Sequence, residues 1–516
     1  MQNNKKTMII ANYLYDGCSM DAHAGYLWIE GNRIAECGFG EPQPELLSHA
    51  DQVLEYEKEL VMPGITDTHT FFTGYAIYHI GADTSAVTDN EAGRRILKQY
   101  EHEKLPPNVL FGHGWNPNLW DGESAAKMLE KEWPDKSVII FSADRSTCIL
   151  NSSARKRYQF TPETCYPEAY HRIMREYLND REFIEREFAD YMHKMNARGV
   201  TSVKEMGFDD YYGFTDYLKE LEASDRMTLR IFFMSQPVGA PMDLNYAKRM
   251  RDTFTGDKVR FSGFNRMTDG TIADFRGDLK QPYEEKDFCC GISIDYEGIE
   301  QEVLAADREG FRYSLHAQGD AAVGKVLAIY DKCRKTDGRL VNRHAITDME
   351  FTDPKDLKKM GELGVTAELY FQIMSLDTGE VIKDNIQKTI GKERGKYYWN
   401  RRKMADEGVN LSGATDLPLL FTSLPESIYY SCGGYLNGQV EPFQQENTIT
   451  VWEMLQAWTI GGQRNLGMED RLGTLEKGKL ADITVFDRNL LKTERKEVRE
   501  AKVVLTMVDG EVVYQQ

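Results

Sequence analysis

The sequence predicts a (β/α)₈ barrel with a small β-rich unit built from both chain ends, and three observations carry that expectation. Between residues 61 and 465, short apolar runs alternate with helical patterns, which is the signature of a parallel sheet wrapped by helices. Both ends of the chain read instead as short strands and tight turns. Several of the apolar runs stop at an Asp, His or Asn, where barrel enzymes carry their chemistry.

The first 60 residues open with "TMIIANYLYDG", an apolar run closed by Asp-Gly. "GYLWIEGNRIAECG" follows as two short strands around Glu-Gly-Asn, a hairpin signal. The C-terminal "LADITVFDRN" and "AKVVLTMVDGEVVYQQ" have the same texture, again with Asp-Gly as a turn. Residues 1–62 and 466–516 are therefore expected to form one composite unit, since chain termini commonly lie close together. The barrel domain is expected over 63–465. Its strand candidates are "VMPGITDTH", "VLFGHGW", "SVIIFSA", "GVTSVKEM", "LRIFFMS", "VRFSGFN", "FRYSLHA", "HAITDME", "GVTAELYF" and "GVNLSGATD". Helical stretches separate most of them, such as Thr215–Ala223 and 320–335. Ten candidates for eight barrel positions leave two for an insertion, placed around 72–160 because that segment delays the second barrel strand.

A formal net charge of −19 argues against nucleic acid, which needs a basic footprint. No apolar run approaches the roughly 20 residues of a membrane span, and the start shows no secretory segment. The eight cysteines have no C-x-x-C spacing, and Cys289 and Cys290 are adjacent, which suits reduced thiols. A cytoplasmic protein acting on a small molecule, with a homodimer as the default assembly, is the expectation.

"VMPGITDTHTFF" (61–72) ends a buried strand on Asp67 and His69, with Phe71 where a second imidazole would complete a chelating pair. Asn265 follows "RFSGF", His316 follows "RYSL", Asp348 follows "HAIT" and Asp416 follows "LSGAT". One strand-end His or Asp is ordinarily a capping or hydrogen-bonding residue. Several converging on one barrel mouth would need a metal or a dense hydrogen-bond network to be buried together. Zinc takes His nitrogen and Asp oxygen, keeping one open position in catalytic sites, and iron or manganese would accept the same donors.

With these motifs in place the chain resembles the amidohydrolase superfamily, and more narrowly its YtcJ-like branch, amidohydrolase family 3. "VMPGITDTH" and "GTLEKGKLADITVFD" carry the wider resemblance; "GHGWNPNLWDG" (112–122), "LNSSAR" (150–155) and "GVTSVKEMG" (199–207) fit the branch. So do "LHAQGDAAVGKVL" (315–327), "RHAITDMEF" (343–351) and "GVNLSGATDLPL" (408–419). The resemblance implies a (β/α)₈ TIM barrel plus a small β-sandwich from both termini, and metal-dependent hydrolysis of C–N bonds. It implies a His-x-His on the first strand, of which only His69 is present, opposite Phe71. Asn265 stands where a carboxylated lysine often bridges two metals, with Arg266 beside it. The fifth-strand His matches His316, the sixth-strand His is replaced by Asp348, and the eighth-strand Asp matches Asp416. Ser146 stands where the branch often has another His.

The expected site therefore holds one divalent ion, zinc before iron or manganese, on His69, His316, Asp348 and Asp416. Asp416 would move the proton of the attacking water, and His316 would bind metal or polarise the substrate. Phe71, His113, Trp115, Asn265 and Arg266 are the substrate-binding candidates, Phe71 as an apolar wall. Lys204 is a lesser candidate for a carboxylated ligand. The alternatives are a metal-independent lyase or isomerase using Asp348, Asp416 and His316, with Arg266 holding an anionic substrate, and a barrel that only binds. His79 is expected to be a satisfied loop residue, His344 a buried hydrogen-bonded histidine and the run "RRK" (401–403) a solvated helix face.

Overall fold

A computed structural model describes residues 5–106, 108–144, 147–159, 161–162, 168–207, 214–236, 241–439 and 441–516. The chain divides into two compact units, one of residues 1–70, 192–208 and 218–516, the other of 71–191 and 209–217.

The larger unit contains the barrel. Its strands are, in order, Ile65–Thr70, Val200–Glu205, Arg230–Ser235, Val259–Met267, Tyr313–Ala317, Ala345–Asp348, Thr366–Leu369 and Asn410–Gly413. Each pairs in parallel with the next. The eighth strand meets the first through side-chain and loop contacts. Thr68 Oγ1 donates to Gly413 O at 2.9 Å, and Asp416 N–H donates to His69 O at 2.8 Å. Eight of the ten strand candidates are these eight strands. They are buried because parallel barrel strands are covered on both faces.

The strands of the two chain ends build a separate seven-stranded sheet. Its order is Glu511–Gln515, Val503–Val508, Ile483–Phe486, Gln52–Pro63, Lys6–Leu14, His23–Glu30 and Arg33–Phe39. Gln52–Pro63 joins the halves, antiparallel to Ile483–Phe486 and parallel to Lys6–Leu14. Ile9, Leu27, Ile29, Ile34, Val61, Ile483, Val485 and Leu505 form its apolar core. The Asp-Gly turn has positive φ at both Asp509 (54°) and Gly510 (75°), the backbone a two-residue hairpin requires. Arg230, at the start of the third barrel strand, ties barrel and sheet together. Its fully buried guanidinium reaches Asp482 at 2.8 Å and Asp509 at 2.6 Å.

The smaller unit takes up both spare strand candidates. Ala82–Asp83, Val109–Trp115 and Ser137–Ser142 run parallel, and Cys148–Leu150 adds an antiparallel edge. Helices Asn90–Lys104 and Gly122–Glu132 start on the capping carboxylates of Asp89 and Asp121. Leu97, Trp115, Trp120, Leu129, Trp133 and Val138 fill its core. Among the described residues, no helix is long and apolar enough to cross a membrane.

Candidate active site

The barrel interior is polar, and its centre is an ion pair. Lys204 on the second strand and Glu368 on the seventh are both fully buried and hydrogen-bonded to each other. Glu368 also accepts from Thr347 Oγ1 (2.7 Å), Asn465 Nδ2 (2.9 Å) and Ser314 Oγ (3.2 Å). Burial opposes its charge, but Lys204 and the neighbouring His69 hold its carboxyl well below the usual range. Burial pulls the Lys204 ammonium down to about 8 against the attraction of Glu368. The lysine considered as a carboxylated ligand is thus placed in a buried ion pair.

Above this pair stands His69. Its Nδ1 lies 3.6 Å from Glu368 Oε2 and its Nε2 lies 3.5 Å from Asp416 Oδ1. Asp67, two residues earlier, accepts from Thr415 (2.6 Å), Thr422 (2.7 Å) and the His69 N–H (3.2 Å). It fixes the strand end and the loop carrying Asp416. Burial pushes both carboxyls up to about 6, Asp67 against its three donors and Asp416 against the His69 charge. Asp416 has φ 52°, an uncommon backbone state for a non-glycine residue.

His316 is held in the same manner from the other side. Its Nε2 lies 3.2 Å from Asp348 Oδ2 and its Nδ1 lies 3.4 Å from Asp269 Oδ1. Burial works against its charge, but the two carboxylates outweigh burial and bring it up to about 10. Asp269 is fixed by three backbone N–H groups, of Gln318, Gly319 and Asp278, each at 2.9 Å. Asp348 also accepts from Gln318 Nε2 at 2.6 Å.

Each histidine thus presents Nε2 beside an acid and has Nδ1 against a second carboxylate. Two ligands of one tetrahedral zinc, with bonds of about 2.0–2.1 Å, stand roughly 3.3 Å apart. The 3.5 and 3.2 Å separations match that spacing. Carboxylates behind Nδ1 can orient metal-binding imidazoles. Imidazole nitrogen and carboxylate oxygen are the donor types a divalent ion takes, but the two pairs do not close on one point here. Among the described residues, the only group with three such donor atoms mutually within 4.8 Å is Asp307, Cys333 and His344. That trio is a hydrogen-bonded knot. His344 Nδ1 accepts from the Tyr313 N–H at 3.0 Å, so Nε2 carries the proton facing Asp307, which also takes Arg334 and Asn342. His344 is thus the buried, hydrogen-bonded histidine its sequence position implies.

The other expected site residues divide. Asn265 is buried, its Nδ2 donating to Gln236 Oε1 at 2.9 Å while its Oδ1 has no hydrogen-bond partner among the described residues. Arg266 does not join the site. Successive strand residues face opposite sides, so beside an inward Asn265 it turns to the helix layer and pairs with Glu302 at 2.6 Å. Phe71, His113 and Trp115 belong to the smaller unit. There Trp115 is core, its indole donating to Trp120 O at 2.8 Å. His113 Nδ1 donates to Ile80 O at 3.1 Å, and His79 pairs with Glu187 at 2.8 Å. Ser146 lies outside the described residues. Glu368 and Asp269 escaped the sequence reading, although each leaves a faint mark: a lone acid inside the strand "TAEL", and an acid just past the fourth strand in "MTDG".

The model of the amidohydrolase family matches residues 57–514. The chain belongs to the amidohydrolase family. Over 93% of its length it is 19% identical to the putative amidohydrolase YtcJ of Bacillus subtilis, covering 92% of that protein. It is 27% identical to the N-substituted formamide deformylase of Arthrobacter pascens over 216 residues, 41% of this chain and 38% of that one. Among solved structures, an uncharacterized metal-dependent hydrolase from Pyrococcus furiosus superposes with a TM-score of 0.73 at 19% identity. That match covers 94% of this chain and all of the other, and it shows the shared fold. Family membership supports a hydrolase role and implies a metal cofactor.

Proposed function

We propose that this amidohydrolase cleaves a C–N bond of the amide, cyclic amide or formamide type at a site holding one divalent ion, zinc before iron or manganese. The observation that carries the reading is the matched pair of contacts, His69 with Asp416 and His316 with Asp348, each backed by a carboxylate at Nδ1. With Asn265 in place of a lysine and Lys204 paired to Glu368, no lysine of the described barrel strands is free to become a carboxylated bridge, which supports a single ion. The similarity to a protein named for deformylating N-substituted formamides favours C–N chemistry.

A divalent ion, when bound, lowers the pKa of water toward neutrality and polarises a carbonyl oxygen. The chain's own groups do the rest. Asp416, partly open to solvent, is placed to accept a proton from the attacking water. It can deliver that proton to the departing nitrogen. Gln318 steadies Asp348, and Glu368 and Asp269 stand behind the two rings at 3.6 and 3.4 Å.

One feature favours a second reading. Both nitrogens of His316 face carboxylates, which keeps the ring an imidazolium suited to acid catalysis without metal. A panel of N-formyl, acyl-amide and cyclic-amide compounds, assayed with and without a chelator, separates the two. Turnover that stops with chelator and falls at least 100-fold in Asp416→Asn supports the hydrolase. Turnover indifferent to chelator favours acid–base chemistry by His316.

A further inference from the structure

Two histidines outside the candidate active site, His79 and His113, stand together in the smaller unit. Their rings meet edge to face, with centroids 6.1 Å apart. His79 ends the short turn Ile77–His79, and His113 lies within the strand Val109–Trp115. The strand Ala82–Asp83 pairs in parallel with that strand and sets Asp83 opposite His113. Gly81 permits the close approach. It has φ 77°, and a Cβ there would lie 1.9 Å from Phe111 O.

Both rings are engaged at Nδ1. His113 Nδ1 donates to Ile80 O at 3.1 Å, and a carbonyl can only accept, so the neutral ring keeps its lone pair on Nε2. Burial lowers the His113 pKa, which keeps that ring neutral at pH 7. His79 Nδ1 lies 2.8 Å from Glu187 Oε2, a buried carboxylate whose other oxygen pairs with Arg186 at 3.0 Å. A neutral His79 with its proton toward Glu187 likewise offers Nε2. An acceptor behind one ring nitrogen is how proteins aim the other at a metal. Among the described residues, neither Nε2 has a hydrogen-bond partner.

His113 Nε2 instead faces Asp83 Oδ1 at 4.0 Å, too far for a hydrogen bond. That gap is about 0.7 Å wider than the roughly 3.3 Å between two ligands of one tetrahedral zinc. Asp83 Oδ1 also takes the Ser85 N–H at 2.9 Å, and no lysine or arginine among the described residues pairs with this acid. The Asp83 side chain is 66% exposed and that of His79 38%, so both can turn toward His113 and a cation can arrive from solvent. The buried Asp307–Cys333–His344 knot has the opposite arrangement. There Nδ1 accepts an N–H, Nε2 holds the proton, and Arg334 already neutralises the acid.

We propose that His79, His113 and Asp83 form a second metal site, which takes a divalent zinc-class cation through both Nε2 atoms and one carboxylate oxygen. Two imidazoles and a carboxylate suit zinc, and copper or nickel would compete for the same donors. Three donors at the surface leave the ion exchangeable: it is held while free metal is present and leaves on desalting. Bound there, it clamps the segment His79–Asp83 onto the strand Val109–Trp115. The site is built wholly from the smaller unit and stands apart from the hydrolase reading.

The test is calorimetric titration of the desalted full chain with zinc. It compares wild type and His69→Ala/His316→Ala, each with and without His113→Gln, and adds Glu187→Gln in the wild-type chain. Both parent chains should take up one exchangeable equivalent, and His113→Gln should remove it from both. Glu187→Gln should weaken it about 10–100-fold, the effect of losing the group behind a ligand. If the double variant fails to fold, wild type against His113→Gln decides; if His113→Gln fails, His79→Gln takes its place. No exchangeable equivalent in either parent chain overturns the proposal. So does one that survives the loss of His113 or His79, which would be adventitious binding by other surface groups. An exchangeable ion kept in a wild type that holds no ion after desalting would refute the hydrolase reading alone. A firmly held barrel ion without the exchangeable one would refute this proposal alone.

Discussion

Replacing Lys204 by Met leaves the Glu368 carboxylate in a fully buried position without its cation, and the cost can be bounded from the structure. Glu368 keeps Thr347, Asn465 and Ser314 as donors. It can also escape by taking a proton, which at pH 7 costs about 3.7 kcal/mol for a group titrating near 4.3 in water. Lys204→Met should therefore destabilise by about 3–4 kcal/mol, in line with broken buried pairs. Glu368→Gln strands the ammonium instead. Burial already pulls that ammonium down against the attraction of Glu368, so without Glu368 it can discharge. The lost charge-assisted bonds cost about 1.5–3 kcal/mol. The double variant should lose at least about 2 kcal/mol less than the sum, because neither charge is left stranded. Thermal melting reads this: at about 2 °C per kcal/mol or less in a chain of this size, Lys204→Met should fall by about 6 °C. Metal affinity gives a second readout. Glu368→Gln also removes the carboxylate behind His69 Nδ1 and should weaken metal binding about 10–100-fold. Additive melting shifts, or a Glu368→Gln variant with unaltered metal affinity, would refute the reasoning.

Two further outcomes are expected. Asp67 is raised by burial from 3.8 to about 6, so the stability its protonated form contributes is complete below about pH 4 and lost as pH rises through 6. The stability of Asp67→Asn relative to wild type should thus improve by about 3 kcal/mol between pH 3 and 7, read as a pH-dependent gap in melting temperature. Arg230→Met should cost about 3–5 kcal/mol by stranding Asp482 and Asp509, and Asp482→Leu in that background should recover part of the loss.

The barrel was legible because its strands are short apolar runs, several of which stop at a polar residue, a local pattern. His69, His316, Asp348 and Asp416 were legible for the same reason. What lay hidden depends on partners distant in sequence. Glu368 reads as one polar position in a short strand until Lys204, 164 residues away, is placed against it. Arg266 sits one residue from the inward Asn265, and that single step sends it to the opposite face of the strand. "RRK" reads as a solvated helix face, and Arg402 and Lys403 fit that pattern. Arg401 is buried instead, its guanidinium against the rings of Phe371 and Trp399. It departs from the pattern because the left-handed turn at Trp399 sets where the helix begins, and no composition rule signals that turn.

The proposed chemistry needs a single divalent ion on His69, His316, Asp348 and Asp416, and elemental mass spectrometry measures it. The full chain would be purified without chelator or metal-affinity tag, beside a His69→Ala/His316→Ala variant. Wild type should hold close to one equivalent of zinc, iron or manganese, and the variant should lose it. Two equivalents, none after incubation with each ion in turn, or one that persists without both histidines would contradict it.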